Sequence, residues 1–217
     1  MNFDRQVKVS IGNSRKSTLW PESTMLWSEF VARLAKPERT SETFAEYKAL
    51  PKPKQEELKD VGGFVGGTLQ GGRRKNESAG VRYLVTLDAD TIEPGGTQRV
   101  INRVSSLGCA YAIYSTRKHE GALPRLRIIV PLDKECGPEE YEAIARKLAD
   151  FIDINIFDPT TFEPVRLMYW PSCSSDSEFV FLYEDKPFLS TQGMLGLYTD
   201  WRDIEEWPQV PGAVKLR

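Results

Sequence analysis

The sequence is poor in histidine: His119 stands alone among 217 residues. One imidazole excludes the paired-histidine metal site of rolling-circle endonucleases and H-E-x-x-H zinc hydrolysis, since both need two. Cysteine is nearly as scarce. Cys109, Cys136 and Cys173 are far apart, odd in number and free of any C-x-x-C pair, which argues against a disulfide framework or a cysteine zinc site and suits a reducing compartment. No apolar run approaches the ~20 residues that span a bilayer, and the opening MNFDRQVKVS lacks the apolar stretch of a secretory signal. These absences read as a soluble, cytoplasmic chain with no membrane partner.

A strong charge of either sign is also missing, with a net value of −2. The average hides an asymmetry. Residues 174–207 carry eight acids against Lys186 and Arg202, a local −6, which leaves +4 for the rest of the chain. Arg73, Arg74, Lys75 and Arg82 form one basic cluster, and Arg117, Lys118, Arg125 and Arg127 another. Local rather than net charge decides where a phosphate docks. Forty per cent hydrophobic residues, with five Trp, eight Tyr and ten Phe, is ample for one packed core.

The pattern along the chain is mixed. KVSIG (8–12) reads as a short strand. Pro21 and Ser23 introduce a helix with Leu26, Trp27, Phe30, Val31 and Leu34 at helical spacing. A second short helix after Thr40-Ser41 buries Phe44 and Tyr47, and KQEELKD adds a turn or two. GGFVGGTL reads as one glycine-rich strand, and GGRRKNESAG as an exposed loop. From residue 81 a regular order appears. VRYLVTLD (81–88) is a strand, and 97–108 a helix with Thr97 as N-cap and Gly108 as terminator. CAYAIYST (109–116) and RLRIIVPL (125–132) are strands. Residues 138–152 form a helix with Pro138 in its first turn, and RLMYW (166–170) is a fourth strand. EFVFLYE (178–184) adds one more. The order β-α-β-β-α-β is the split βαβ, or ferredoxin-like, unit. The expected class is therefore α+β: a small N-terminal helical subdomain over residues 1–60, a core over 61–190, and an acidic tail or linker over 191–217.

In such a sheet the first and third strands are adjacent and antiparallel, while the first two run parallel. Asp88, Asp90, Ser115, Arg117, Lys118, His119, Arg125, Arg127, Asp158 and Arg166 would then gather at one sheet edge. Asp88 and Asp90, two apart on a strand, point to one face. Two carboxylates this close repel unless a proton or cation intervenes, and hard oxygen ligands select Mg²⁺ or Mn²⁺. D-x-D is also an ordinary turn pattern. Asp158, in NIFDPTTFEPVRLMYWPS, is the leading third carboxylate, with Asp153 as the fallback, although Asp-Pro equally starts turns. Arg117, Lys118 and His119 suit the phosphates of a nucleoside triphosphate. Arg125 and Arg127 alternate with Leu126 and Ile128, so on an inner face they need anionic partners. Arg73, Arg74 and Lys75 suit template phosphates.

Together LVTLDAD, STRKH with PRLRIIVPL, and FDPTTFEPVRLMYWPS resemble the three motifs of the archaeo-eukaryotic primase superfamily: a D-x-D pair, an s-x-H element and a third acid. The stretch from TSETFAEY through GGFVGG, GGRRK and RLMYWPS to YTDWRDIEEWP is similar to the N-terminal primase-polymerase domains of virulence-associated E (VapE-like) replication proteins of phages and genomic islands. The resemblance covers about residues 15–210. It implies an RRM-like palm, metal held by Asp88, Asp90 and Asp158, and a DNA primase or polymerase acting on single-stranded template, primer and nucleoside triphosphates. It also implies a helicase domain or protein as partner. Similar sequences read Ser-Thr-His-Lys-His, whereas Arg117 holds the first histidine position here. If the nucleotide-contacting histidine is the first, its role has passed to Arg117 or been lost; if the second, His119 keeps it. Two other functions fit the same residues: a non-catalytic nucleic-acid module, and a two-metal nuclease.

Overall fold

The structure is a computed structural model and describes residues 1–210. It opens with a hairpin of β1 (Gln6–Gly12) and β2 (Glu22–Leu26), followed by α1 (Trp27–Leu34), β3 (Glu38–Arg39), α2 (Phe44–Ala49) and α3 (Lys52–Lys59). Next come β4 (Gly63–Val65), β5 (Gly67–Leu69), β6 (Ala79–Ala89), α4 (Thr97–Ser105), β7 (Tyr111–Ser115), β8 (Leu126–Cys136) and α5 (Pro138–Ile152). The short β9 (Met168–Tyr169), β10 (Ser172–Cys173), β11 (Phe181–Glu184) and α6 (Thr191–Leu195) complete the described chain. It is the expected α+β mixture. Among the described residues no helix is long and apolar enough to cross a membrane. The last seven positions of the expected tail, 211–217, lie outside the described residues.

The central sheet has the order β11-β7-β8-β6-β5. β8 is antiparallel to both β6 and β7, so those two run parallel to each other, as the split βαβ order requires. β11 pairs with the outer edge of β7. Alternation then sorts the side chains by face. Val85, Leu87, Ala89, Ile113, Ile128 and Val130 pack under α4, α5 and α6. Leu84, Ala112, Tyr114 and Ile129 face the other way, onto Val7, Val9, Phe30, Phe64 and Met168 of the second layer. That layer is a four-stranded sheet, β2-β1-β4-β9, with α1 beside it; β3 and β10 form a separate parallel pair.

Four expectations are corrected. The apolar periodicity before Trp27 is a strand: β2 pairs antiparallel with β1, and α1 begins five residues later than Glu22. Pro21 serves as the strand entry, and β1 is what makes β2 a hairpin arm. The glycine-rich stretch is two strands in two sheets, divided at Gly66, where an added Cβ would meet Leu84 and the Arg82 guanidinium at 3.0 Å or less. Helix α4 is capped by Gly96 with no side-chain cap, and Thr97 is its first residue. Lastly, 166–170 is not the fourth strand of the central sheet; β9 pairs with β4 in the second layer. The place beside the end of β6 is taken by an irregular segment that bridges at Ala89–Phe157. Pro159 and Pro164 lack the N–H groups that a longer ladder would need there.

Candidate active site

The site grows from one row across the central sheet. Asp88 lies opposite Arg127, and Arg127 opposite Tyr114. Period-two alternation puts all three on the face that looks toward the second layer, so the strand that buries Leu87 and Ala89 under the helices must offer Asp88 to the other side. Arg127 has only 4% of its side chain exposed and its Nε stands 3.5 Å from Asp88 Oδ1. Its Nη1 donates to the Tyr169 carbonyl at 3.1 Å. Burial works against the Arg127 charge, and Asp88 and Tyr114 together more than offset it, so the guanidinium is held above its ordinary pKa. Asp88 Oδ1 is buried with no hydrogen-bond partner.

The segment after α5 is stitched to this strand. The Asp158 N–H donates to the Asp88 carbonyl (2.9 Å) and the Asp90 N–H to the Ile156 carbonyl (3.1 Å). Thr161 Oγ1 accepts from the Asp88 N–H at 2.8 Å and donates to the Thr86 carbonyl at 3.3 Å. The fully buried Arg82 donates from Nη1 to the Pro164 carbonyl at 2.6 Å and from Nη2 to Thr86 Oγ1 at 2.9 Å, anchoring the same segment from below. Asp158 thus arrives beside the aspartate pair. Its own carboxylate is engaged by Thr160 through Oδ1 and by Arg166 through Oδ2, the latter at 2.6 Å.

Asp90 lies one residue past the end of β6, and Arg125 Nη1 donates to its Oδ2 at 3.2 Å. Burial, then the neighbouring Asp88, push the Asp90 carboxyl above its ordinary pKa, while Arg125 pulls the other way and Asp158 adds to the rise. Asp90 is thus a half-buried carboxylate with one arginine partner and a second carboxylate beside it. Among the described residues no group of three or more His, Cys, Asp or Glu side chains is close enough to hold a metal. The donor set that fits a hard divalent cation is the Asp88/Asp90 pair: two carboxylates in mutual repulsion, one with an orphaned buried oxygen.

The other expected residues divide into two groups. Arg117 lines the recess that also contains Asp90, Thr116, Lys118 and Arg125. Its Nη2 donates to Thr40 and Glu42, its guanidinium lies 4.6 Å from the Tyr47 ring centroid, and Nε and Nη1 are buried without partners. Lys118 is exposed beside it. His119 is buried, its Nδ1 accepts from the Arg125 N–H at 3.1 Å, and burial pushes its pKa down; it is not among the side chains lining the recess. Ser115 Oγ accepts from the Val180 N–H and so ties β7 to the chain leading into β11. Arg166 and Arg74 line a larger cleft with Asp88 and Arg127, whereas Arg73 and Lys75 are exposed.

A family model for the VapE N-terminal domain matches residues 1–210. The chain belongs to that family. The VapE-like relation expected from its motifs is thereby found. Among solved structures, the AEP domain of the cyanophage S-2L primase-polymerase (PrimPol) is similar over 88% of this chain and 87% of that one, at a TM-score of 0.46 and 10% identity. A search of curated proteins gives no match.

In this VapE N-terminal domain several site residues escaped the sequence reading. Lys59, at the end of α3, lines both the recess and the cleft and sits 4.9 Å from the Tyr169 ring centroid. Burial, aided by Arg127, pushes its pKa down to about 8 against the pull of Asp88. Arg15 and Lys16, in the β1–β2 connection, line the cleft as well. No local signal marks these three; only the docking of the second layer brings them to Asp88. Glu42 could have been suspected, because a buried Arg117 requires an acid.

Proposed function

We propose that this domain is a template-directed nucleotidyltransferase, the DNA primase or polymerase part of a replication protein of a phage or mobile element. The observation that carries the reading is the Asp88/Asp90 pair at a strand end, with an orphaned buried oxygen on Asp88 and cations lining the recess around it. Asp88 and Asp90 would hold Mg²⁺ or Mn²⁺; when bound, such an ion supplies an acidified primer 3′-hydroxyl and charge neutralisation on the triphosphate. Asp158 is the third acid, available once Arg166 releases it. Arg127 fixes the Asp88 side chain and Arg125 that of Asp90, so each carboxylate is oriented before any substrate arrives. Thr161 and Arg82 hold the strand end and the Asp158 segment in register. Arg117, Lys118 and His119 border the phosphate side, with Arg73, Arg74 and Lys75 toward single-stranded template and primer. A helicase domain or protein is the natural partner.

A second reading has one observation in its favour: Asp158 is hydrogen-bonded to Arg166 rather than grouped with the pair. It is a nucleic-acid module that keeps the fold without catalysis. Mn²⁺ titration separates the two. Binding that disappears in Asp88→Asn supports the enzyme; intact binding of single-stranded DNA with no Mn²⁺ site supports the module. Primer extension in Mn²⁺ then tests the enzyme itself, and shortening of labelled DNA without nucleotides would instead indicate a nuclease.

A further inference from the structure

Glu42 and Arg117 form an ion pair between two distant parts of the chain, the segment entering α2 and the connection leaving β7. The Arg117 side chain is 1% exposed and that of Glu42 17%. Both charges give up water to meet, so a pair this enclosed adds little over apolar side chains of the same volume, and stability alone does not account for it. We infer that Glu42 is a positioning residue: it fixes the Arg117 guanidinium at the recess beside Asp88 and Asp90, so that the N–H groups left over on Arg117 are aimed at a substrate phosphate oxygen. The inference rests on the nucleotidyltransferase reading of Arg117 and gives a role in it to an N-terminal residue that itself touches no substrate.

Glu42 is itself anchored independently of Arg117. Its carbonyl accepts from the Ser175 N–H at 2.9 Å and from Ser175 Oγ at 3.1 Å, just beyond the β3–β10 pair. Its Oε1 accepts from Thr40 Oγ1 at 2.7 Å and from Ser174 Oγ at 3.2 Å. Asp176 accepts from the Phe44 N–H at 2.7 Å and so holds the start of α2 to the same segment. Burial raises the Glu42 carboxyl, but the hydrogen bonds from Thr40 and its own backbone, with Arg117, outweigh it and keep its pKa below the ordinary value.

Arg117 is then held from two directions. Nη2 donates to Glu42 and Thr40, and the Tyr47 ring centroid lies 4.6 Å from the guanidinium carbon. Nε and Nη1 are buried with no partner, and the residue lines the recess with Asp88 and Asp90. A buried donor left unmet is costly, and an oxyanion satisfies guanidinium N–H groups well. One nitrogen is thus spent on orientation and two remain for a ligand. A second link between α2 and the β7–β8 connection, Lys48 to Glu120 at 3.1 Å, lies at the surface and offers a control.

The test is a double-mutant cycle with two readouts at equal folded concentration: calorimetric binding of inorganic tripolyphosphate with Mg²⁺, and KM and kcat for dATP in primer extension. Wild type is compared with Glu42→Gln, Arg117→Met, the two combined, and Lys48→Gln. Glu42→Gln is expected to weaken tripolyphosphate and raise KM about tenfold, with a smaller change in kcat. Arg117→Met should do the same, and the combined variant should be no worse than Arg117→Met alone, because Glu42 acts through Arg117. Lys48→Gln should stay near wild type. Lower thermal stability with unchanged binding and KM in Glu42→Gln would make the pair structural and overturn the inference. Tighter binding in Glu42→Gln would overturn it too, by making Glu42 a competitor for Arg117, as would additive losses, unchanged binding in Arg117→Met, or an equal loss in Lys48→Gln. Should Glu42→Gln fail to fold, Ser174→Ala, which removes one donor that fixes Glu42, carries the same comparison at smaller amplitude. Arg117-dependent tripolyphosphate binding without any primer extension would sink the polymerase reading and leave the positioning role standing; extension with KM and binding unchanged in Glu42→Gln would do the reverse.

Discussion

The two faces of the central sheet are built from the same strands and have opposite chemistry. Under α4 and α5 the inward residues of β6, β7 and β8 are almost all aliphatic or aromatic. On the face toward the second layer, Asp88 and Arg127 are buried beside Leu84, Tyr114 and Ile129, while Arg82 and Thr86 are buried at the β6 edge against Tyr141 of α5. Burying an ion costs several kcal/mol unless a partner offsets it. Here most charges have one: Asp88 has Arg127, and Arg82 has backbone carbonyls and the Tyr141 ring face at 4.0 Å. The strand residues of one face build an apolar core, those of the other keep the Asp88–Arg127 pair, and the buried charge on the helix side is the Glu142–Arg146 pair of α5 itself.

That contrast can be broken from either side. The largest expected effect on stability is at Arg127→Met, which preserves volume and leaves the mostly buried Asp88 without its cation. Urea unfolding should show a loss of about 3 kcal/mol or more, and extension should fall along with it. Leu87→Ala, on the helix-covered face, should cost about 3 kcal/mol through the cavity it opens. Its folded fraction should still extend primers at a rate near wild type, because Leu87 points away from the carboxylates. An equal activity loss in Leu87→Ala would mean that the two faces do not divide these roles. Thr161→Val removes the acceptor of the Asp88 N–H and should cost about 1 kcal/mol. The expected signature is a weaker apparent Mn²⁺ affinity out of proportion to that small change in stability.

The face division explains what could be read in the sequence. Strands β6, β7 and β8 and helices α4 and α5 announce themselves through period-two and helical patterns, and the row Asp88–Arg127 follows from alternation plus the antiparallel order. In β2, ESTML is too short for either period to be decisive, and its conformation depends on β1 across the hairpin. RLMYW likewise has a strand's composition, but the partner of β9 is β4, in a layer the split βαβ order does not contain. Lys59, Arg15 and Lys16 were invisible because their role comes from that second layer docking on the sheet. The pairing of Arg117 Nη2 with Glu42 spans 75 residues and has no local trace in the sequence.

The central claim is that the Asp88/Asp90 pair performs metal-dependent nucleotide addition. Primer extension on a single-stranded template with Mn²⁺, comparing wild type with Asp88→Ala at equal folded concentration, tests it most directly. The account predicts extension by wild type and a loss of about 10²- to 10³-fold in the variant, the scale of several kcal/mol of transition-state charge stabilisation. Equal extension by both proteins, or none by wild type with nucleotide and primed template bound, would contradict it.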